Sequence, residues 1–288
     1  MTPFGQLSPV GRARRLRRFA TDVVSESYGR ADASVRLLSA HSFNTVFAVR
    51  HGGERLVLRV GDAVQIHSSG VEEVEARWLR SLAEAGVSVA QNIPTRDGGV
   101  TAMVESPDVP GARVCTLFSC VDGVPLSQRL DADRISQAGA LLSLLHENSR
   151  VTGELPPDVH ADRAVYLPAV DRNALPAIAG HDQLFAEATE RAQVAVDELW
   201  ASSPHEPHLL HGDFGPHNIL SRRGDLRPID FQDLQFGFDV QDLGISFADL
   251  SRRDPAFVEP FQLGYSSVRP WPDLTPELLA SFSAARRV

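Results

Sequence analysis

Residues 209–220 read Leu209-Leu210-His211-Gly212-Asp213-Phe214-Gly215-Pro216-His217-Asn218-Ile219-Leu220, the densest polar cluster in an apolar setting along this chain. The pair Gly215-Pro216 is incompatible with regular helix, so the sequence predicts a rigid loop between two short strands. Further along, Pro228-Ile229-Asp230-Phe231 places a second carboxylate at the end of another apolar strand.

Two carboxylates and one amide on strand-end loops, Asp213, Asp230 and Asn218, suit phosphoryl transfer. One carboxylate, Asp213, orients and deprotonates the attacking hydroxyl. The amide oxygen of Asn218 and the second carboxylate hold Mg²⁺ against the phosphate oxygens. Oxygen ligands are needed because Mg²⁺ is a hard cation.

The N-terminal part, residues 1–121, predicts a small antiparallel sheet with one inserted helix. A helix carries Leu16 and runs to Gly29, Gly52-Gly53 marks a hairpin turn, and Gly86 ends the inserted helix. The expected strands are Val35–Leu38, Thr45–Arg50, Arg55–Val60, Val100–Val104 and Ala112–Val121, and the inserted helix is Val71–Ala85.

The C-terminal part, residues 122–288, reads as mainly helical, with a loop-like, proline-rich stretch from Gly153 to His181. The expected helices include Ile135–His146, Gln183–Leu199, Val240–Leu250, Ala256–Tyr265 and Pro276–Arg286. The fold class is therefore α+β, in two lobes with a natural boundary near Asp122-Gly123.

Composition narrows the function. The net charge of −9 argues against general nucleic-acid binding, because a phosphate backbone would be repelled. The chain contains no run of eighteen apolar residues, so the sequence predicts no membrane-spanning helix. Cys115 and Cys120 point to opposite faces of one strand and read as two reduced thiols of a cytoplasmic protein, not as a disulfide.

All 28 basic residues are arginine, and the chain contains no lysine. This excludes a phosphate-binding Gly-Lys-Ser/Thr loop and a pyridoxal-phosphate enzyme, both of which need lysine. A phosphate clamp must therefore use arginine, backbone N–H groups or a metal ion.

The loop resembles the catalytic loop of the aminoglycoside phosphotransferase family, a branch of the protein-kinase-like fold that includes choline and homoserine kinases. The family pattern, His-Gly-Asp, four residues, then Asn, is met in full at 211–218. The resemblance implies that Asp213 is the catalytic base and that Asn218 and Asp230 are metal ligands. It also implies that Asp242 braces the loop, while His211 reads as a structural histidine that hydrogen-bonds the loop backbone.

For the nucleotide, the resemblance places Arg59 where kinases carry the phosphate-binding lysine, with Glu75 as its ion-pair partner and Glu72 as the alternative partner. A guanidinium can make a bidentate phosphate contact. ATP is expected between the lobes, with its purine against backbone groups near Ser119–Val121. The turn before Asn44 has no glycine, so Ser42 and Asn44 must replace a Gly-rich flap.

The expected function is therefore ATP- and Mg²⁺-dependent transfer of the γ-phosphoryl group to a small-molecule hydroxyl, as on an aminoglycoside, choline or homoserine. Acidic residues of the helical part are compatible with a cationic acceptor: Asp158, Asp162, Asp171, Asp182 and Glu187. The chain stops at Val288 within a predicted helix that relatives continue, so a truncated product is also an expectation. The oligomeric state cannot be read from the sequence.

Two alternatives stay open, and a third is set aside. A zinc metallohydrolase would use His211, Asp213 and His217 as ligands, although their spacing is loose for zinc. A nucleotide-binding pseudokinase is suggested by the glycine-free flap. A protein kinase is disfavoured because only eleven residues separate Asp230 from Asp242, too few for a long activation loop.

Overall fold

The computed structural model describes residues 2–40, 44–63, 70–149, 183–272, 274 and 276–285. The chain divides into two compact units: Met1–Ile66 with Ala90–Cys120, and His67–Val89 with Val121–Val288. Among the described helices, none is both long enough and apolar enough to cross a membrane.

The first unit is an antiparallel sheet with one helix against it. Its elements are α1 (Pro9–Glu26), β1 (Ser34–Ala40), β2 (Asn44–His51), β3 (Glu54–Gly61), β4 (Asn92–Ile93), β5 (Ala102–Ser106) and β6 (Val109–Ser119). The strand order is β1-β2-β3-β6-β4, and β5 also pairs with β6. The hairpin between β2 and β3 turns at Gly52-Gly53, as the sequence predicts.

The core of this unit forms because period-two side chains of the sheet meet a helical stripe of α1. Alternate residues of β2 and β3, such as Phe47 and Leu58, are fully buried and pack with Phe19 and Val23 of α1. Tyr28 closes the end of this core. Its hydroxyl donates to the carbonyl of Cys115 over 2.7 Å.

The second unit is mainly helical, with three small antiparallel pairings. Its helices are α2 (Val71–Glu84), α3 (Ala132–Ser149), α4 (Gln183–Ser202), α5 (Asp239–Arg253), α6 (Val258–Ser266) and α7 (Pro276–Ala285). Its strands are β7 (Val124–Pro125), β8 (His208–Leu210), β9 (Ile219–Arg222), β10 (Asp225–Pro228) and β11 (Gln235–Gly237). β9 pairs with β10 and β7, and β8 pairs with β11. Helix α2, expected within the N-terminal lobe, groups with this unit.

Helices α3 and α6 cross with their backbones in direct contact. A Cβ atom added at Gly139 would lie 2.1 Å from the carbonyl oxygen of Phe261, and one at Gly264 would lie 1.8 Å from that of Ser136. No side chain fits at either position, so the two glycines set the distance between these helices.

The predicted α+β class, a small antiparallel sheet and a larger helical part, is confirmed. The sequence patterns missed β4, β7 and β11, which are two or three residues long. A strand of that length is too short to display a period of two. The stretch predicted as a loop, Gly153–His181, lies outside the described residues.

Candidate active site

The predicted catalytic loop runs between β8 and β9. Two backbone bonds shape it: the N–H of Gly215 donates to the carbonyl of Asp213, and the N–H of Asn218 donates to that of Gly215, each over 2.9 Å. Gly212 has φ of 81°, a left-handed conformation that glycine adopts without steric cost. The chain can therefore reverse immediately before Asp213.

The Asp213 carboxylate is held by two side chains of its own loop. The amide Nδ2 of Asn218 donates to Asp213 Oδ2 over 2.8 Å, and also to the Asp213 carbonyl over 3.0 Å. His217 Nε2 lies 3.2 Å from the same Oδ2 atom. This hydrogen bond raises the pKa of His217 above its ordinary value, against the opposing effect of burial.

Asp230 follows β10 and is exposed. Its φ of 66° is left-handed, a conformation that costs most non-glycine residues about 1–2 kcal/mol. The N–H of the preceding Ile229 donates to the carbonyl of Asn218 over 2.9 Å, continuing the β9–β10 pairing. Asp230 therefore lies one residue beyond the backbone partner of Asn218.

His211 is fully buried beneath the loop and has both ring nitrogens engaged. Its Nε2 lies 3.1 Å from the carbonyl oxygen of Ile229, and the N–H of Asp213 donates to its Nδ1 over 3.4 Å. Its ring lies 4.6 Å from that of Phe231, which in turn meets Trp78 of α2 edge-on at 5.2 Å. The ring thus contacts backbone on both sides of the site.

Asp242, in the first turn of α5, is fully buried and binds the loop backbone. Its Oδ2 accepts from the N–H of His211 over 2.7 Å, and its Oδ1 from the N–H of Gly212 over 2.8 Å. One carboxylate therefore holds the two backbone amides that immediately precede Asp213.

Asp242 belongs to a group of charged residues, and the sequence analysis identified none of the other members. We call it the buried charge cluster, and its members are His146, His208, Asp239, Asp242 and Arg269. His146 is the centre: Nε2 lies 3.3 Å from Asp242 Oδ2, and Nδ1 lies 3.1 Å from Asp239 Oδ1. Asp239 also contacts His208 Nε2 at 2.6 Å, and its two carboxylate oxygens accept hydrogen bonds from the two terminal nitrogens of Arg269 over 3.2 and 3.1 Å.

Burial alone would lower the pKa of His146, but Asp239 and Asp242 together hold it above its ordinary value. In the same way, burial opposes ionisation of Asp239 and Asp242, while His146 keeps the pKa of each carboxyl below its usual range. The two carboxylates therefore favour the protonated form of His146. A sequence signal existed: Asp239 and Asp242 are three residues apart and so share one helix face.

The residues of the first unit that were predicted to bind the nucleotide lie on separate strands. Arg59 lies on β3, half-buried, with its guanidinium 5.1 Å from the ring centre of Phe118 on β6. Ser119 ends β6, and its N–H donates to the carbonyl of Gln91, while the N–H of Cys120 donates to that of Arg55. A purine could not use these two donors without breaking those bonds.

The remaining predicted residues fall as follows. Asn44 begins β2 opposite Gly61, and Ser42 lies outside the described residues. Glu75, on α2 in the second unit, is only 2% exposed, whereas the alternative Glu72 is half-buried. Val121 is the first residue of the second unit after β6.

A family model described as the phosphotransferase enzyme family (APH) matches residues 34–276. The chain belongs to this family. The predicted resemblance is thereby confirmed, and the protein is an enzyme, a small-molecule kinase of the phosphotransferase class. A sequence search of curated proteins gives no significant match.

Solved structures with the same fold include other small-molecule kinases. A microcompartment-associated aminopropanol kinase has 24% identity, a TM-score of 0.67, and a match covering 94% of this chain and 86% of that one. An amicoumacin kinase, solved with AMP-PNP, Ca²⁺ and its substrate, has 16% identity, a TM-score of 0.73, and coverage of 97% and 85%. A spectinomycin phosphotransferase, solved with ADP and spectinomycin, has 12% identity, a TM-score of 0.63, and coverage of 93% and 84%.

The described residues do not support the alternative of a zinc metallohydrolase. Within the described ranges, no group of three or more His, Cys, Asp and Glu side chains could hold a metal ion. His211, one of the three suggested zinc ligands, uses both ring nitrogens for backbone contacts. The set His211, Asp213 and His217 would need His211 to leave its buried position.

Proposed function

We propose that this phosphotransferase moves the γ-phosphoryl group of ATP onto a hydroxyl of a small molecule, with Asp213 as general base. The observation that carries the proposal is the held carboxylate of Asp213, at the tip of a loop whose backbone Asp242 binds. A base in a fixed position needs no reorganisation during the reaction, and positioning supplies much of the rate in phosphoryl transfer.

In the proposed step, the acceptor oxygen attacks the γ-phosphorus while Asp213 accepts the hydroxyl proton. The new P–O bond forms as the bond between the γ-phosphorus and the β–γ bridging oxygen breaks, and ADP leaves with that oxygen. Asp213 is 37% exposed at its side chain, so an acceptor can reach it. The proton transfer itself is worth roughly 10²–10⁴ in rate.

Asn218 and Asp230 fit a magnesium ion. The amide nitrogen of Asn218 is directed at Asp213, which leaves its oxygen as the ligand atom. The Asp230 carboxylate is exposed at the adjacent strand end. Oxygen donors of this kind suit a hard cation. When bound, Mg²⁺ would neutralise negative charge on the phosphate oxygens.

For the nucleotide, we propose Arg59 as a phosphate contact. A half-buried guanidinium beside an aromatic ring keeps its charge and its fork of donors, which matches phosphate geometry. Complexes of relatives with AMP-PNP and ADP support ATP as donor. ATP supply and two free thiols, Cys115 and Cys120, favour the cytoplasm.

The acceptor class we propose is a hydroxylated amine. The relatives are named for aminopropanol, amicoumacin and spectinomycin, and the net charge of −9 is compatible with a cationic acceptor. Four of the five acidic residues named for this role, Asp158, Asp162, Asp171 and Asp182, lie outside the described residues.

The test is an ATP/ADP coupled assay with Mg²⁺ across a panel of amino alcohols, aminoglycosides, choline and homoserine. We expect acceptor-dependent ADP formation with at least one hydroxylated amine, above the rate without acceptor. ATP binding without turnover on any acceptor would instead favour the pseudokinase, and tightly held stoichiometric zinc in the purified protein would favour the hydrolase.

A further inference from the structure

The exposed histidine of the catalytic loop, His217, touches the proposed base. Its side chain is 49% exposed, yet its Nε2 lies 3.2 Å from Asp213 Oδ2. In the sequence analysis this residue appeared only as a candidate zinc ligand. A surface histidine with no role would be free to turn its ring into solvent, because exposed side chains change rotamer readily.

The two contacts of Asp213 fall on the same oxygen. Oδ2 receives Asn218 Nδ2 at 2.8 Å and His217 Nε2 at 3.2 Å. An ionised carboxylate oxygen has two lone-pair sites, so these two donors fill both. Across the part of the chain that the structure describes, Oδ1 of Asp213 has no hydrogen-bond donor, and it is the oxygen left to receive a proton.

Rotation of an aspartate carboxylate about its last bond is broad and roughly two-fold, so the side chain does not by itself fix which oxygen faces the substrate. One hydrogen bond from Asn218 leaves a second acceptor site on Oδ2. With that site open, an acceptor hydroxyl could bind Oδ2 in an unproductive position. The imidazole closes it.

Gly215 makes room for the imidazole in this position. A Cβ atom at Gly215 would lie 2.6 Å from Cε1 and 2.8 Å from Nδ1 of His217, whereas the next neighbour, Asp249 Oδ2, would be at an ordinary 3.5 Å. Any residue larger than glycine would thus push the ring away from the loop. The position of the His217 ring therefore depends on the absence of a side chain at Gly215 as well as on His217 itself.

We propose that His217 is a positioning residue that, together with Asn218, holds Oδ2 of Asp213 and so presents Oδ1 to the acceptor hydroxyl. This inference rests on the proposed function and adds His217 to the acceptor side of the site. His217 acts through Asp213 and needs no contact with phosphate or metal.

The first experiment compares three versions of the full chain: wild type, His217→Phe and His217→Gln. Phenylalanine keeps a planar ring but has no donor, and glutamine keeps an N–H donor near the position of Nε2. We expect kcat to fall roughly tenfold in the phenylalanine variant, with KM for ATP and for the acceptor changed less than about twofold, since misplacing a catalytic group costs up to about 10². Glutamine should restore most of the loss.

The second experiment is a double-mutant cycle with Gly215→Ala and His217→Ala. If alanine at 215 acts by displacing the ring, it should lower kcat in the wild-type background and have little further effect when His217 is already alanine. Additive losses would mean that Gly215 acts on the loop independently of the ring, and would count against the proposal.

A third measurement reads the contact without turnover. At fixed pH, the imidazole ¹⁵N resonances of His217, assigned by their loss in His217→Phe, should move in Asp213→Ala and stay in Asp225→Ala. If the wild type is an active kinase, two results would overturn the positioning role of His217 and leave the proposed function intact. One is that the His217 resonances do not move in Asp213→Ala, and the other is that His217→Phe keeps full activity. A wild-type chain without kinase activity would overturn the proposed function, and the catalytic part of this inference with it.

Discussion

The outer and inner sides of the catalytic loop both pair an aspartate with a histidine, but the two pairs differ in burial and in role. On the outer side, Asp213 and His217 are more than a third exposed, and their contacts come from within the loop. On the inner side, Asp242 and His146 are fully buried and connect the loop to α3 and α5. The same chemical pair, carboxylate with imidazole, is thus accessible to a substrate on one side and locked into the interior on the other.

The comparison shows that the charged residues of this motif are of two kinds, partly exposed and fully buried. Partly exposed charges remain able to change partner, as a base must when it takes a proton. Buried charges must stay paired, because a buried charge without its partner costs several kcal/mol. Substitutions on the two sides should therefore separate turnover from stability.

The largest effect is expected on the outer side. Asp213→Asn keeps the size of the side chain and removes the base, so turnover should fall by roughly 10²–10⁴. The free energy of unfolding should change by no more than about 0.5 kcal/mol, as for other partly exposed positions. Steady-state kinetics and urea unfolding of the same preparation measure both, and unchanged turnover would dismiss Asp213 as base.

On the inner side, Asp242→Asn should lower stability and turnover together. The substitution leaves His146 facing an amide and weakens the bonds to two backbone N–H groups, at a cost of about 3 kcal/mol in the free energy of unfolding. Asp225→Asn is the matched control: that carboxylate pairs with Arg227 at the surface and should change stability by less than about 1 kcal/mol. Equal urea midpoints for the two variants would contradict the distinction between the sides.

A smaller effect should appear in the pH dependence of stability. The pKa of His146 is raised in the folded chain, so its contribution is fully present below its unfolded pKa of about 6.5 and is lost as pH rises through the folded value. Asp239 and Asp242, with lowered pKa values, contribute above about pH 4, and that part is lost on acidification.

Unfolding midpoints at a series of pH values measure this effect. The wild type should lose stability on the alkaline side, and His146→Gln should be less stable at neutral pH and lack that slope. A wild-type profile flat from about pH 6.5 upward would show that His146 is not the charged partner of these carboxylates.

The sequence could predict the outer side because its signals are local. Asp213 and Asn218 are five residues apart in one loop, and Asp230 follows the hairpin that Asn218 opens, so spacing alone was informative. The hairpin at Gly52-Gly53 and helix α2 were likewise readable from turn residues and period.

On the inner side the family resemblance indicated only Asp242, and the partners of Asp242 could not be predicted because they are distant in sequence. His146 and Asp242 are 96 residues apart, and His208 and Asp239 are 31 apart. Each residue alone matched an ordinary feature: a histidine at a helix end, or an aspartate in a first turn, where it favours the helix dipole. Only tertiary packing makes them a cluster.

The crossing of α3 and α6 bears on how this enzyme can vary. His146 lies two helical turns beyond Gly139, and its partner Tyr265, whose hydroxyl lies 2.9 Å from His146 Nδ1, directly follows Gly264. A single methyl group at either glycine would wedge the helices apart and pull the tyrosine away from the imidazole. The junction of α3 and α6 therefore tolerates little change, because the helix spacing and the Tyr265–His146 contact depend on the same two glycines.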